Sequence, residues 1–75
     1  MKIIHCKNNK FITYEALLRF MIRNNYKSVK IKVEDRGTTG REIIATLEYV
    51  KGILLKEKYN VDEIIRSELE KYGTM

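Results

Sequence analysis

From Ser28 to Glu34 apolar and polar residues alternate without a break, with Val29, Ile31 and Val33 on one side and Lys30, Lys32 and Glu34 on the other. A period of two marks an extended strand with one buried and one solvated face. Such a strand needs hydrogen-bonding neighbours for its backbone and an apolar layer for its inner face. The remainder of the chain is read by what it offers that strand.

Lys2-Ile3-Ile4-His5-Cys6 is a short β-branched run and reads as a first strand. Lys7-Asn8-Asn9-Lys10 reads as a turn, because asparagine tolerates left-handed backbone. Thr13 is placed to cap a helix in which Tyr14, Leu17, Leu18, Met21 and Ile22 share one face and Glu15, Arg19 and Arg23 the other, with Asn24-Asn25 as its stop. After the alternating strand, Arg36-Gly37-Thr38-Thr39-Gly40-Arg41 reads as a turn feeding a second helix, since Thr39 and Glu42 have capping-box spacing. Ile43, Leu47, Val50 and Leu54 form its stripe, with a flatter stripe of Ala45, Tyr49 and Gly52 alongside, and it runs to about Lys58. Asn60 then caps a third helix that places Val61, Ile64, Ile65, Leu69 and Tyr72 inward and Glu63, Glu68 and Glu70 outward, ending at Gly73.

The expected order is therefore βαβαα in one α/β (α+β) domain spanning residues 1–75. A strand, a helix and a second strand in succession suggest a right-handed crossover, with the strands parallel and the helices on one face of a small sheet. A 75-residue chain buries only roughly 60% of its unfolded surface. One cysteine forms no intramolecular disulfide, so a homodimer is the expected route to added stability. The single thiol and the lack of a span-length apolar run point to a protein of the reducing cytoplasm, with no membrane association.

The net charge of +5 is unevenly distributed. Residues 1–41 hold ten bases against three acids, whereas the remainder holds five bases against seven acids. Positive charge concentrated in one half points to a polyanionic partner, since each neutralised phosphate releases counterions.

Catalytic chemistry finds no residue set. His5 and Cys6, the sole imidazole and thiol, are neighbours on a strand and point to opposite faces, so they form neither a metal site nor a nucleophile–base pair. Glu34-Asp35 and Asp62-Glu63 sit at element ends, where carboxylates are solvated or complement a helix dipole. The chain is expected not to be an enzyme, and to need no cofactor, metal or small-molecule substrate. The Arg36–Arg41 turn remains open to two readings: a plain glycine turn, or an anion site in which Gly37 and Gly40 expose N–H groups at a helix start between two arginines.

Several local strings, in order, resemble the Alba family of small dimeric nucleic-acid-binding proteins: Ile3-Ile4, Thr13-Tyr14 opening the first helix, Ile31 to Val33 leading into Arg36-Gly37, and Thr46-Leu47-Glu48-Tyr49-Val50, which is similar to the family's T-V-E-I-V run. The resemblance covers residues 3–58. It implies an Alba-like two-layer sandwich whose strand-to-helix loop, by position Lys7-Asn8-Asn9-Lys10, contacts the backbone of DNA or RNA, together with Arg36 at the start of the second helix and Arg41 beside it. Where the family has two further C-terminal strands, this sequence has the helical run from about 60 to 72.

The expected function is non-catalytic binding of the DNA or RNA phosphate backbone with low sequence specificity, in a chromatin- or RNA-associated role. Lys30 and Lys32 join the contact set from charge and alternation alone. The alternative is a protein-interaction or assembly module docking through its amphipathic C-terminal helix.

Overall fold

A computed structural model describes residues 2–72. The chain forms a small α+β domain with a five-stranded antiparallel sheet and three helices. The elements are β1 (Lys2–Cys6), β2 (Asn9–Phe11), α1 (Tyr14–Arg23), β3 (Ser28–Asp35), β4 (Thr38–Thr39), β5 (Ile43–Thr46), α2 (Leu47–Lys56) and α3 (Val61–Tyr72). The order differs from βαβαα because two supposed turns are hairpins and the start of the supposed second helix is a strand.

β3 is the centre of the sheet. It pairs antiparallel with β1 on one side and with β4 and β5 on the other, while β2 pairs the outer side of β1. The expected parallel pairing of the first two long strands does not occur. A two-residue turn at Lys7-Asn8 folds β2 back along β1, with Cys6 opposite Asn9, so the chain has already reversed before α1 begins. The ten-residue α1 climbs back roughly 15 Å, and β3 then descends antiparallel to β1.

Ile43 to Thr46 is extended rather than helical. Three of these four residues are β-branched, and the backbone of β3 beside them needs a partner. Ile43 faces Ile31 and Ala45 faces Val29, so the apolar spacing that suggested a helix stripe is satisfied by a strand facing the same core. The expected stripe of Ala45, Tyr49 and Gly52 is therefore broken, and Ala45 is buried in the sheet. Thr39 and Glu42 form no capping box. Thr46 is the cap instead, its Oγ1 accepting the Tyr49 N–H at 3.0 Å.

Other local expectations agree with the structure. Thr13 Oγ1 accepts the Ala16 N–H at 3.1 Å, and Asn60 Oδ1 accepts the Glu63 N–H at 3.1 Å. α1 stops at Asn24, with Asn25 at φ 58; the Tyr26 N–H reaches the Met21 carbonyl at 2.8 Å and the Asn25 N–H reaches that of Ile22 at 3.1 Å, a Schellman closure. α2 ends the same way, with Lys58 at φ 66 in the left-handed position. The expected stop of α3 at Gly73 lies outside the described residues.

Ile4, Cys6, Val29, Ile31 and Ala45 form the inner face of the sheet and bury against Leu17, Leu18 and Met21 of α1 and Val50 and Leu54 of α2. α3 packs chiefly on α1, using Val61 and Ile64. Its phase differs from the expected one: Glu68 is 1% exposed and Leu69 is 55% exposed. The reversal has an electrostatic cause. Arg19 Nη1 donates to Glu68 Oε2 at 3.0 Å while its other nitrogens hold Glu15, and Arg23 Nε lies 3.7 Å from Glu68 Oε1. Two cations on α1 thus draw a carboxylate of α3 inward, and the hydrogen bond to Glu68 is the main reason that the Arg19 pKa is raised.

Because Glu68 is enclosed and Arg19 is partly solvated, the two ends of the pair are not equivalent. Arg19→Met, which removes the closest cation and the hydrogen bond from a buried carboxylate, is expected to cost about 3 kcal/mol, whereas Glu68→Met costs about 1 kcal/mol or less because Arg19 keeps Glu15 and water. Urea denaturation of both variants measures the difference.

Candidate nucleic-acid interface

All three helices lie on one side of the sheet, so its other face is uncovered. Alternation decides what stands there. With Ile4, Cys6, Val29, Ile31 and Ala45 turned inward, Ile3 and His5 of β1, Lys10 of β2, Lys30, Lys32 and Glu34 of β3 and Ile44 of β5 are turned outward. Register sets Lys10 opposite His5 and His5 opposite Lys32, a row across three strands. Lys30 is two residues along from Lys32 and opposite Ile44. A shallow open groove of about 680 Å³ lies along this face, bordered by His5, Lys7, Lys30, Lys32, Glu42 and Ile44.

The electrostatics of the face are mixed but uneven. His5 Nε2 and Glu34 Oε1 are 2.8 Å apart, and because a carboxylate only accepts, the imidazole N–H is the donor. Glu34 is thereby engaged. Among the described residues, no carboxylate lies within ion-pairing distance of Lys10, Lys30, Lys32, Arg36 or Arg41. Lys7, which borders the groove with φ 55 in the β1–β2 turn, lays its ammonium 4.9 Å from the centroid of the Tyr26 ring.

The expected contact residues do not form one cluster. Lys10, Lys30 and Lys32 share the uncovered face with Lys7 at its edge. Asn8 shares the turn with Lys7, and Asn9 belongs to β2 on the opposite side from Lys10. Arg36 and Gly37 make the turn between β3 and β4, at the far end of the sheet from Lys7, because Lys2 pairs with Asp35 and Cys6 with Ile31. Arg36 is six residue steps along from Lys30, roughly 20 Å. Arg41 follows β4 on the outer edge. Thr39 faces Glu34 and Ile43 faces Ile31, so four steps on the outer strand match three on β3, and the extra residue is a bulge.

The anion-site reading of Arg36–Arg41 is corrected. No helix starts there. Asp35 pairs with Thr38 across Arg36 at φ 55 and Gly37 at φ 83, the left-handed pair that a two-residue hairpin of type I′ demands. Phe11 is half-buried with its ring centroid 5.1 Å from that of Phe20, and Phe20 in turn packs on Tyr26 at 5.7 Å, so neither ring is offered to a base. Among the described residues the uncovered face carries no Phe, Tyr or Trp ring; its one ring is the His5 imidazole, held by Glu34.

His5 and Cys6 point to opposite faces, as alternation requires. Cys6 is buried, and burial pushes its thiol pKa up, against a smaller lowering by Lys7. Among the described residues no three His, Cys, Asp or Glu side chains gather to hold a metal ion, and no helix is long and apolar enough to cross a membrane. Residue spacing did not reveal the His5–Glu34 pair; its signal was the register between two strands, which the sequence does not print.

Gly37→Ala is expected to cost about 1 kcal/mol from backbone strain alone, since a Cβ there meets nothing within 4 Å, and Arg36→Asn to recover part of that loss. Thermal melts of the single and double variants check the additivity. Cys6 should react with iodoacetamide at the rate of unfolding rather than at that of a free thiol, measurable by mass spectrometry with and without urea. Comparison of the chain with protein-family models, with curated proteins and with solved structures finds no match.

Proposed function

We propose that this chain is a non-catalytic nucleic-acid-binding protein that holds the phosphate backbone of DNA or RNA against the uncovered face of its sheet, with little base specificity. The observation that carries this is the group Lys10, Lys30 and Lys32, brought onto one solvent-facing surface without carboxylate partners among the described residues. An antiparallel sheet with helices on one side only is a surface that water covers until a ligand does. Unpaired ammonium groups on it favour a polyanion, and with no Phe, Tyr or Trp ring on the face among the described residues, and the His5 imidazole held by Glu34, stacking of unpaired bases is disfavoured.

A nucleic-acid strand running along β3 would pass Lys30 and Lys32 and reach Arg36 roughly 20 Å on, about six base pairs of duplex rise. In this arrangement Lys7, Asn8, Gly37 and Arg41 are peripheral, and Asn9 contributes nothing. The likeness to the Alba proteins agrees in ligand class, and an Alba-like sandwich and a cytoplasmic site of action belong to the same proposal. The contact residues shift from the turn to the sheet.

Docking of a partner protein through α3 has less to support it. Val61 and Ile64 are already used in the chain's own core, leaving Leu69 as the exposed large apolar side chain of that helix among the described residues.

The test is salt-titrated binding to duplex DNA, duplex RNA and single strands. Four contacts, Lys10, Lys30, Lys32 and Arg36, give a log–log slope of about −3.6 on duplex DNA, which is about a hundredfold loss between 50 and 200 mM salt. Lys10→Gln, Lys30→Gln and Lys32→Gln combined should flatten that slope by about 3, while Lys56→Gln with Lys71→Gln leaves it unchanged. Equal binding by the sheet-face triple variant and the wild-type chain would overturn the proposal.

A further inference from the structure

β5 is the outer strand on its side of the sheet, and among the described residues it pairs with β3 alone. The Leu47 N–H donates to the Lys27 carbonyl at 3.0 Å. In an antiparallel ladder the inward-turned residues alternate, so Ala45 and Ile43 also direct their backbone groups to β3. Ile44 therefore directs its N–H and C=O away from the sheet, Thr46 its N–H, and Glu42 continues the same phase just before the strand. All three residues are exposed, with Ile44 at 64%.

We infer that β5 is a self-association edge, to which a second copy of this chain adds its own β5 antiparallel about a two-fold axis at the Ile44 pair. In that register each Ile44 exchanges an N–H and a C=O with the Ile44 of the other copy, and each Thr46 N–H meets the Glu42 carbonyl of the other. The outward groups are symmetric about Ile44, which is what an isologous contact requires.

Three further observations favour a copy of the same chain. β5 is Ile-Ile-Ala-Thr, without the charge or proline that protects edge strands, in a chain that is 33% charged. The opposite edge, β2, is three residues long and carries Lys10, which are two such protections. In the paired arrangement the two exposed Ile44 side chains lie directly opposite on the same face, with Cα atoms about 5.5 Å apart, and each covers the other. Electrostatics do not oppose it: Lys30 lies one strand further in, so the two Lys30 residues stand three strand spacings apart, about 14 Å, beyond a screening length of about 8 Å. The uncovered faces of both copies fall on one side of a continuous sheet. The pairing does not depend on the nucleic-acid proposal, and the measurements below contain no nucleic acid.

Sedimentation equilibrium of the wild-type chain should give twice the 8.9 kDa of one chain. Ile44→Lys, which sets two ammonium groups opposite each other, should return the single-chain mass with an unchanged circular dichroism spectrum. Leu55→Lys, at another exposed apolar residue, should leave the doubled mass. A wild-type chain that stays at 8.9 kDa up to millimolar concentration overturns the inference, as does a doubled mass that survives Ile44→Lys or is lost in Leu55→Lys. Should Ile44→Lys fail to fold, hydrogen exchange on the wild-type chain decides: the Ile44 amide must exchange more slowly as concentration rises, and concentration-independent exchange overturns the pairing.

Discussion

The structure depends on the two-sidedness of β3. Its three neighbours hold its backbone in an extended state, and in that state Val29 and Ile31 cannot enter the core without sending Lys30 and Lys32 to the other face. Burial of the apolar side supplies the driving force. The lysine face is its geometric by-product, and with all three helices gathered on the inner side no described residue covers it.

The helical layer is held by a different force. α1 lies between the sheet and α3, and it meets the sheet with Leu17, Leu18 and Met21 while offering Arg19 and Arg23 to α3. A buried glutamate is costly unless paired, so Glu68 fixes the rotation of α3 more tightly than an apolar residue would. The consequence is visible at the surface, where Leu69 is turned outward and Glu63 and Glu70 remain in water.

The proposed binding face and the proposed pairing edge share one strand system. A bulge between β4 and β5 interrupts the outer edge, leaving β4 and β5 as separate short segments along β3. Two copies joined at β5 would present one longer lysine-bearing surface, with polar Ser28 and Thr46 and the apolar Ile44 pair at its middle.

Local chemistry was legible in the sequence wherever a single segment decides the outcome. The alternation of Ser28 to Glu34, the caps at Thr13 and Asn60, the stop at Asn24-Asn25 and the opposite facing of His5 and Cys6 each depend on residues within a few positions of one another. The pairings lay beyond it, because a hydrogen-bonded neighbour is chosen by residues far along the chain. Ile43 to Thr46 satisfies a helical and an extended spacing equally well until the free backbone of β3 selects the strand. Lys10 and Lys32 sit 22 positions apart and become neighbours of one histidine only through register. Glu68 looked like a surface acid until two arginines of another helix drew it in. The sequence by itself determined the caps, the helix stops and the two faces of β3; tertiary structure decided which polar residues share a surface and which one is buried, because strand register and helix rotation are set by contacts that no local window contains.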